Sequence, residues 1–251
     1  MRLTDKKYWN TSYQDIQFID SDQGAVIEFL KNNLEIVSGK SSIEVGSFPG
    51  NFIPVIGRKG YLVNGIDYNE RNATDLPNWL MQQNLEVGKF WTADFLDFIK
   101  NPPQQYDLVC SFGFIEHFKN FEEIIVSHAK LVAPGGKLII TTPNFRGLLQ
   151  RIPRMIFDKK NLNKHFLPSM NPRVWKSQLE SMGYEVIYSG CFGGYLFWVD
   201  DKVNRGKLET YSIKIFSSLI FNFGKLLRRL NIESRIFSAF CGIVAIRKQK
   251  E

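Results

Sequence analysis

Residues 41–50 read S-S-I-E-V-G-S-F-P-G. A short apolar run ends around an acidic residue, Glu44, followed by Gly46 and Gly50, and residues 51–58 continue with a helical pattern. A strand, a tight glycine turn and a helix start are how an open α/β sheet brings its backbone close to a nucleotide-like ligand. Lacking Cβ atoms, Gly46 and Gly50 let the chain turn with φ > 0 and let a ligand lie against the main chain. Glu44 stands at the strand end, where its carboxylate faces the crevice. An ordinary strand–loop–helix connection uses glycines in the same way, so the stretch speaks to fold before function.

Outward from it, strand and helix patterns alternate. Apolar strands are expected at 41–46, 61–67, 90–94, 106–112, 136–142, 184–189 and 239–247. Residues 22–34 carry Ala25, Val26, Phe29, Leu30 and Leu34 at helical spacing behind Ser21 or Asp22 as N-cap, and 121–131 is the clearest helix between strands. Short apolar strands separated by helices predict a mostly parallel sheet covered on both faces. Right-handed crossovers leave the loops after the strands on one edge. Glu44, Asp67, Asp94 and the residues after Phe112 then converge there, far apart as they are in sequence. Asp67 follows Glu44 by the spacing at which a dinucleotide fold places its ribose-binding acid. Phe48, standing where a second glycine would admit a pyrophosphate, argues against NAD or FAD.

The chain has 251 residues, 44% hydrophobic and 23% charged, which suits a single folded domain. No run of 18 apolar residues occurs, and the polar start lacks the apolar stretch of a secretory signal, so a cytoplasmic protein is expected. Cys110, Cys191 and Cys241 form no C-x-x-C or metal-ligand spacing and read as buried reduced thiols. The net charge of +7 is unevenly placed: −4 over 1–145, +7 over 146–176, −4 over 177–201 and +8 over 202–251. Two basic blocks on a mildly acidic body suit an anionic partner or a solvated basic face.

Tyr8 and Trp9 are read either as a cap on the core or as a cover over a bound ligand. Residues 144–176 are basic with few regular apolar repeats, and should overhang the ligand edge; Pro172 suits a helix start within them. Within 213–230, Ile213, Phe216, Leu219, Ile220, Phe223, Leu226, Leu227 and Leu230 share one helical face, opposite Lys214, Lys225, Arg228 and Arg229. Such a helix packs on its own core, binds a partner or lies on an anionic membrane.

The run E-V-G-S-F-P-G, G-I-D-Y, A-D-F, Y-D-L-V-C-S-F-G-F-I-E-H-F and L-V-A-P-G-G-K-L-I-I-T-T-P-N resembles the class I S-adenosylmethionine-dependent methyltransferases, in the small-molecule branch that includes the ubiquinone-biosynthesis O-methyltransferases. The likeness implies an α/β, Rossmann-like seven-stranded sheet, mostly parallel with an antiparallel last strand and helices on both faces. It implies one methyltransferase domain over 1–251, with a lid at 144–176 and a helical insertion at 192–237 between the last two strands. Glu44, Gly46 and Gly50 match the motif that holds the methionine end of the cofactor. Asp67 matches the ribose-binding acid, with Tyr68 beside the adenosine. Asp94 and Phe95 match the adenine pair, Ser111 and Phe112 the strand end beneath the sulfonium. Glu116 and His117 match the loop near the acceptor. Phe48 departs from the usual glycine.

The expected chemistry is in-line transfer of a sulfonium methyl, in which proximity and alignment carry much of the rate. A hydroxyl acceptor needs a base, and His117 is the candidate, against a purely structural role in its loop. His165 and Arg146 are candidate substrate contacts, while His128 reads as structural. Arg151, Arg154, Lys159 and Lys160 either grip an acidic acceptor or form a plain surface. No metal site is expected. The acceptor is expected to be a small or membrane-associated molecule, a hydroxyl of a cell-envelope sugar or lipid-linked intermediate or of a quinone-type compound, with membrane contact through 213–230. A catalytically inactive binding protein and, less favoured, an RNA methyltransferase are the alternatives; no nucleic-acid-reading module is evident.

Overall fold

The computed structural model describes residues 1–199, 205–230 and 232–249, without the Arg228 side chain. The strands are β1 (Lys40–Val45), β2 (Tyr61–Asp67), β3 (Val87–Thr92), β4 (Tyr106–Phe112), β5 (Val132–Pro143), β6 (Tyr184–Phe192) and β7 (Phe240–Arg247). They form one sheet in the order β3-β2-β1-β4-β5-β7-β6. Strands β1 to β5 run parallel, and β7 is antiparallel to both β5 and β6. The order reverses direction between β1 and β4, which is where an open α/β sheet leaves a crevice beyond its strand ends.

Alternate residues of each strand face opposite sides. Ile43, Val109, Leu138, Ile140 and Ile243 join one core, which includes Phe121, Ile124, Trp175 and Leu179 of α6 (Phe121–Leu131) and α9 (Pro172–Ser181). Val63, Leu108, Cys110, Ile139 and Val244 join the other, with residues of α2 (Ala25–Asn33), α3 (Ile53–Gly57) and α4 (Asp75–Gln82). Burial on both faces explains why these strands read as near-continuous apolar runs. Before this framework stands α1 (Lys6–Ser12); within it lies α5 (Phe95–Phe98), and beyond β5 lie α7 (Leu148–Phe157), α8 (Lys159–Leu162) and, after β6, α10 (Lys207–Arg229).

Three expectations shift. The third strand ends at Thr92, two residues early, because Asp94 serves as N-cap of α5, its Oδ1 accepting the Leu96 N–H at 2.8 Å. The segment 144–176 is largely helical. Its first helix, α7, is inverted: Gln150, Pro153 and Arg154 are buried, whereas Leu148, Ile152, Met155 and Ile156 are exposed. The polar pair is held inside by hydrogen bonds from Gln150 Nε2 to the Leu196 and Phe237 carbonyls and from Arg154 Nη1 to Gln150. In α10, only Ile213, Ile220 and Leu227 of the expected face are buried. Leu219, Phe223, Leu226 and Leu230 of the same face are 48 to 66% exposed. Residues 200–204 and 231 of the expected insertion lie outside the described residues. Cys110 and Cys241 are buried; Cys191, half-buried, brings its Sγ to 3.5 Å from that of Cys241 across β6 and β7.

Candidate active site

The first cleft, with an empty volume of about 840 Å³, opens beyond the ends of β1, β2 and β4. Gly46 and Gly50 turn the chain there with φ of 74° and 85°. A Cβ on Gly46 would stand 2.7 Å from the Phe114 ring, so the turn admits no side chain. Asp67, at the tip of β2, is held by two backbone N–H donors, Asn69 to Oδ1 at 2.8 Å and Phe48 to Oδ2 at 3.4 Å. Glu44 is buried, and its Oε2 has no hydrogen-bond partner. Burial raises the Asp67 carboxyl to about 6 and, reinforced by Asp67, lifts Glu44 well above the usual carboxylate range. Two carboxyl groups in one enclosed pocket, one of them without a partner, fit a ligand that carries positive charge and hydroxyl donors.

Of the expected cofactor-binding residues, Glu44, Gly46, Gly50, Asp67, Tyr68, Phe95 and Phe112 line this cleft, and so does His117. Asp94 and Ser111 do not. The Asp94 carboxylate accepts from Arg2 at 2.9 Å and from the Tyr68 hydroxyl, and caps α5. Ser111 is fully buried within the sheet, its Oγ unpartnered. Phe48 does not obstruct the turn: its ring is buried edge-on against Tyr13 and Phe18, and its N–H serves Asp67.

The N-terminal segment supplies a wall that the motif left out. Arg2 lies over the Tyr68 and Phe118 rings at 4.5 and 4.9 Å, and Trp9 meets the His117 ring edge-on at 5.0 Å. Backbone hydrogen bonds from Leu3 to His117 and from Lys119 to Met1 pin it in place. The Tyr8–Trp9 pair was the sequence signal for this wall; nothing in the sequence marked Arg2.

A second, wider cleft adjoins the first, with Trp9, Tyr13, Gly113 and His117 common to both. Aromatic side chains dominate it, including Tyr8, Phe145, Trp198 and Phe240. Its polar lining includes Glu116, His117, Lys164 and His165, with Asp15, Gln17 and Asn161. Glu116 and His117 sit in a single helical turn after β4, and His165 comes from the segment after α8. The Phe166 N–H donates to the Glu116 carbonyl at 2.7 Å and fixes the two segments together. Burial pushes His117 down to about 4 and His165 to about 3, and raises Glu116 to about 8. Sequence spacing concealed this cluster, since 48 positions separate His117 from His165.

Arg146, an expected substrate contact, does not line the cleft that holds His165. It opens into a separate pocket with Arg235, Met170 and Cys191, because the chain turns away after Phe145. Arg154 is no surface cation either: it is buried, its guanidinium 3.9 Å from the Phe145 ring centre and 4.6 Å from that of Trp198. His128 is buried against Phe95 with Nδ1 on the Ile124 carbonyl, which suits the structural role expected of it.

Comparison with known proteins adds to this geometry. A ubiquinone biosynthesis O-methyltransferase of Coxiella burnetii is 26% identical over 118 residues, 46% of this chain and 50% of that protein. The chain thus matches over about half the length of such curated relatives. Among solved structures, a SAM-dependent methyltransferase from Archaeoglobus fulgidus superposes with a TM-score of 0.56 at 19% identity, covering 88% of this chain and 93% of that one. The geranyl diphosphate C-methyltransferase of Streptomyces coelicolor A3(2) does so at 0.55 and 14%, covering 88% and 77%. These two likenesses concern the fold. The sequence model of the methyltransferase domain matches residues 19–189, more than half of the chain, and the chain belongs to that family of methyltransferase domains.

Proposed function

We propose that this chain is an S-adenosylmethionine-dependent methyltransferase that methylates a hydroxyl of a small, hydroxylated, largely apolar acceptor taken from a membrane surface. The observation that carries the reading is the junction of two unlike clefts at Gly113 and His117: one with paired carboxyls, the other with aromatic walls.

In the first cleft, Asp67 is the acceptor for ribose hydroxyls, with its carboxylate pre-oriented by two backbone donors. Glu44 faces the charged methionine end and becomes ionised when positive charge enters. Tyr68 and Phe95 line the part of the cleft that would take the adenosyl group. The cofactor supplies a methyl group already activated by its sulfonium. The chain's task is to hold the acceptor oxygen at the boundary between the clefts, where alignment can contribute about 7–11 kcal/mol in favourable cases. The aromatic lining favours a ring-bearing, quinone-type acceptor over a sugar phosphate, since Lys164 is the cation among its lining residues and already donates to Tyr8 at 3.0 Å.

The membrane part of the proposal rests on the inverted α7 and on the uncovered apolar face of α10. Phe157 of α7 and Phe216 of α10 lie 6.0 Å apart, so the two helices adjoin. Exposed Arg151, Lys159 and Lys160 on one side and Lys207, Lys214, Lys225 and Arg229 on the other flank these apolar faces. Apolar area bordered by basic charge matches an anionic lipid surface. No helix among the described residues is long and apolar enough to cross a membrane.

Two measurements test the proposal. Calorimetry with S-adenosylhomocysteine should give one site per chain, and a hydroxylated aromatic acceptor should release S-adenosylhomocysteine from the cofactor; absence of binding overturns the reading. Flotation with vesicles containing anionic lipid should recover the wild type and lose Leu219→Glu/Phe223→Glu, both exposed positions. Equal flotation of the two, or an apolar face covered by a second copy in sedimentation, removes the membrane.

A further inference from the structure

Glu116, His117 and His165 bring one carboxylate and two imidazoles to one wall of the second cleft, each with a ligand-type atom within 4.8 Å of the others. Both imidazoles are held in a single tautomer. His117 Nδ1 lies 3.0 Å from the Lys164 carbonyl oxygen, and His165 Nδ1 lies 2.7 Å from that of Asn161. A carbonyl oxygen only accepts, so each Nδ1 carries the proton and each Nε2 keeps its lone pair. Backbone carbonyls orient metal-ligating histidines in this manner. Glu116 is 1% exposed, and its Oε2 has no hydrogen-bond partner. A buried, unpartnered carboxyl oxygen grouped within 4.8 Å with a ligand-type atom of each of two imidazoles is an arrangement that a bound cation would satisfy.

We propose that Glu116, His117 and His165 bind one divalent transition-metal ion, whose open coordination positions face the second cleft and take a hydroxyl oxygen of the acceptor. Two imidazoles and a carboxylate suit zinc, or other first-row divalent ions of similar softness, and three protein ligands leave room for an exogenous one. Small side-chain rotations would close the set to metal–nitrogen distances of about 2.0–2.1 Å. Metal binding depends on these three side chains alone; the hydroxyl ligand rests on the methyltransferase reading above. The ion makes a coordinated hydroxyl more acidic, its proton leaving to solvent and its electron pair staying on oxygen.

The test is a cobalt(II) and zinc titration of the full chain carrying Cys191→Ser, which removes the half-buried member of the thiol pair as a competing site. One equivalent of cobalt should bind with a visible spectrum of nitrogen and oxygen ligation, and zinc should displace it. His165→Ala and Glu116→Gln should each weaken binding at least about 100-fold, since even a partner behind a metal ligand is worth about 10–100-fold. Because His165 tethers the segment after α8, metal should also protect that segment from proteolysis in the parent and not in His165→Ala. No stoichiometric binding, or an affinity that both variants leave unchanged, overturns the proposal. S-adenosylhomocysteine titrations run alongside separate the two readings. Cofactor binding without metal sinks the metal site alone; metal without cofactor binding sinks the methyltransferase reading and leaves the metal site standing.

Discussion

The two clefts that share Gly113 and His117 are built by opposite means. The first is made by strand tips and the turns that leave them, so its residues sit where the sheet puts them. Its acids are contributed by the central strands β1 and β2, which pair in register from Lys40↔Tyr61 to Val45↔Ile66. The second is made by peripheral segments: the N-terminal helix, the turn after β4, the segment after α8 and the stretch after β6. Its geometry depends on side-chain contacts between them, such as Trp9 on His117 and Phe145 on His165. On the proposed reading, the rigid cleft would take the common reactant and the peripheral one the variable reactant, as loops on a scaffold tend to carry specificity. The contrast also bears on Phe48, which lines the first cleft while its ring packs into the core beneath it.

That packing gives the largest expected effect. Phe48→Ala removes a ring buried between Tyr13 and Phe18 and should cost about 3–5 kcal/mol of stability. Denaturant unfolding measures it. Under stabilising conditions the variant should keep its S-adenosylhomocysteine affinity, because the Phe48 N–H to Asp67 survives truncation. A large loss of affinity with little loss of stability would mean that the Phe48 ring serves the ligand rather than the core. Next in size is Asp67→Ala. Hydrogen bonds to a charged acceptor are worth about 1.5–3 kcal/mol, so S-adenosylhomocysteine affinity should fall on the order of 100-fold by calorimetry. Cobalt affinity at Glu116, His117 and His165 should not change. An effect on both would mean that the clefts are not the independent units their construction indicates.

The first cleft was legible in the sequence because its determinants are local. Glycine turns, apolar runs and terminal acids all lie within short stretches, and β2 and β4 appear where the pattern put them. Asp94 shows how local signals can carry two meanings: a carboxylate two residues past the strand caps the next helix here, and the same position can face a ligand. The second cleft was not legible, because no period or spacing links residues 9, 116, 165 and 198. Helix α7 shows the limit most clearly. Its pattern is amphipathic, and the usual inference buries the apolar side. Here the aromatic nest of Phe145, Phe197 and Trp198 takes the Arg154 guanidinium instead, and Gln150 satisfies neighbouring carbonyls, so the polar side turns inward. Tertiary contacts of that kind leave no mark on a single stretch of sequence.

The smallest expected effect sharpens the electrostatic side of the comparison. Asp67 is raised from 3.8 to about 6 by burial, against the lowering effect of the backbone donors of Asn69 and Phe48. The sign follows from which state holds the proton more tightly. The unliganded fold holds it more tightly than the unfolded chain, so this group's contribution to stability is complete below about 3.8 and is lost as pH rises through about 6. Ribose hydroxyls need the ionised form, so S-adenosylhomocysteine affinity should move the other way. Between pH 7 and pH 5 it should weaken by about tenfold, since one proton must be removed per unit below the midpoint. Asp67→Asn should lessen both trends: calorimetry would show a weak affinity whose remaining pH dependence belongs to Glu44, and thermal unfolding of the unliganded variant would lose the Asp67 share of the decline between pH 4 and 6. A wild-type affinity that stays constant down to pH 5 would mean that the carboxylate at the tip of β2 does not meet the ligand, and the first cleft would then lose the feature that sets it apart from the second.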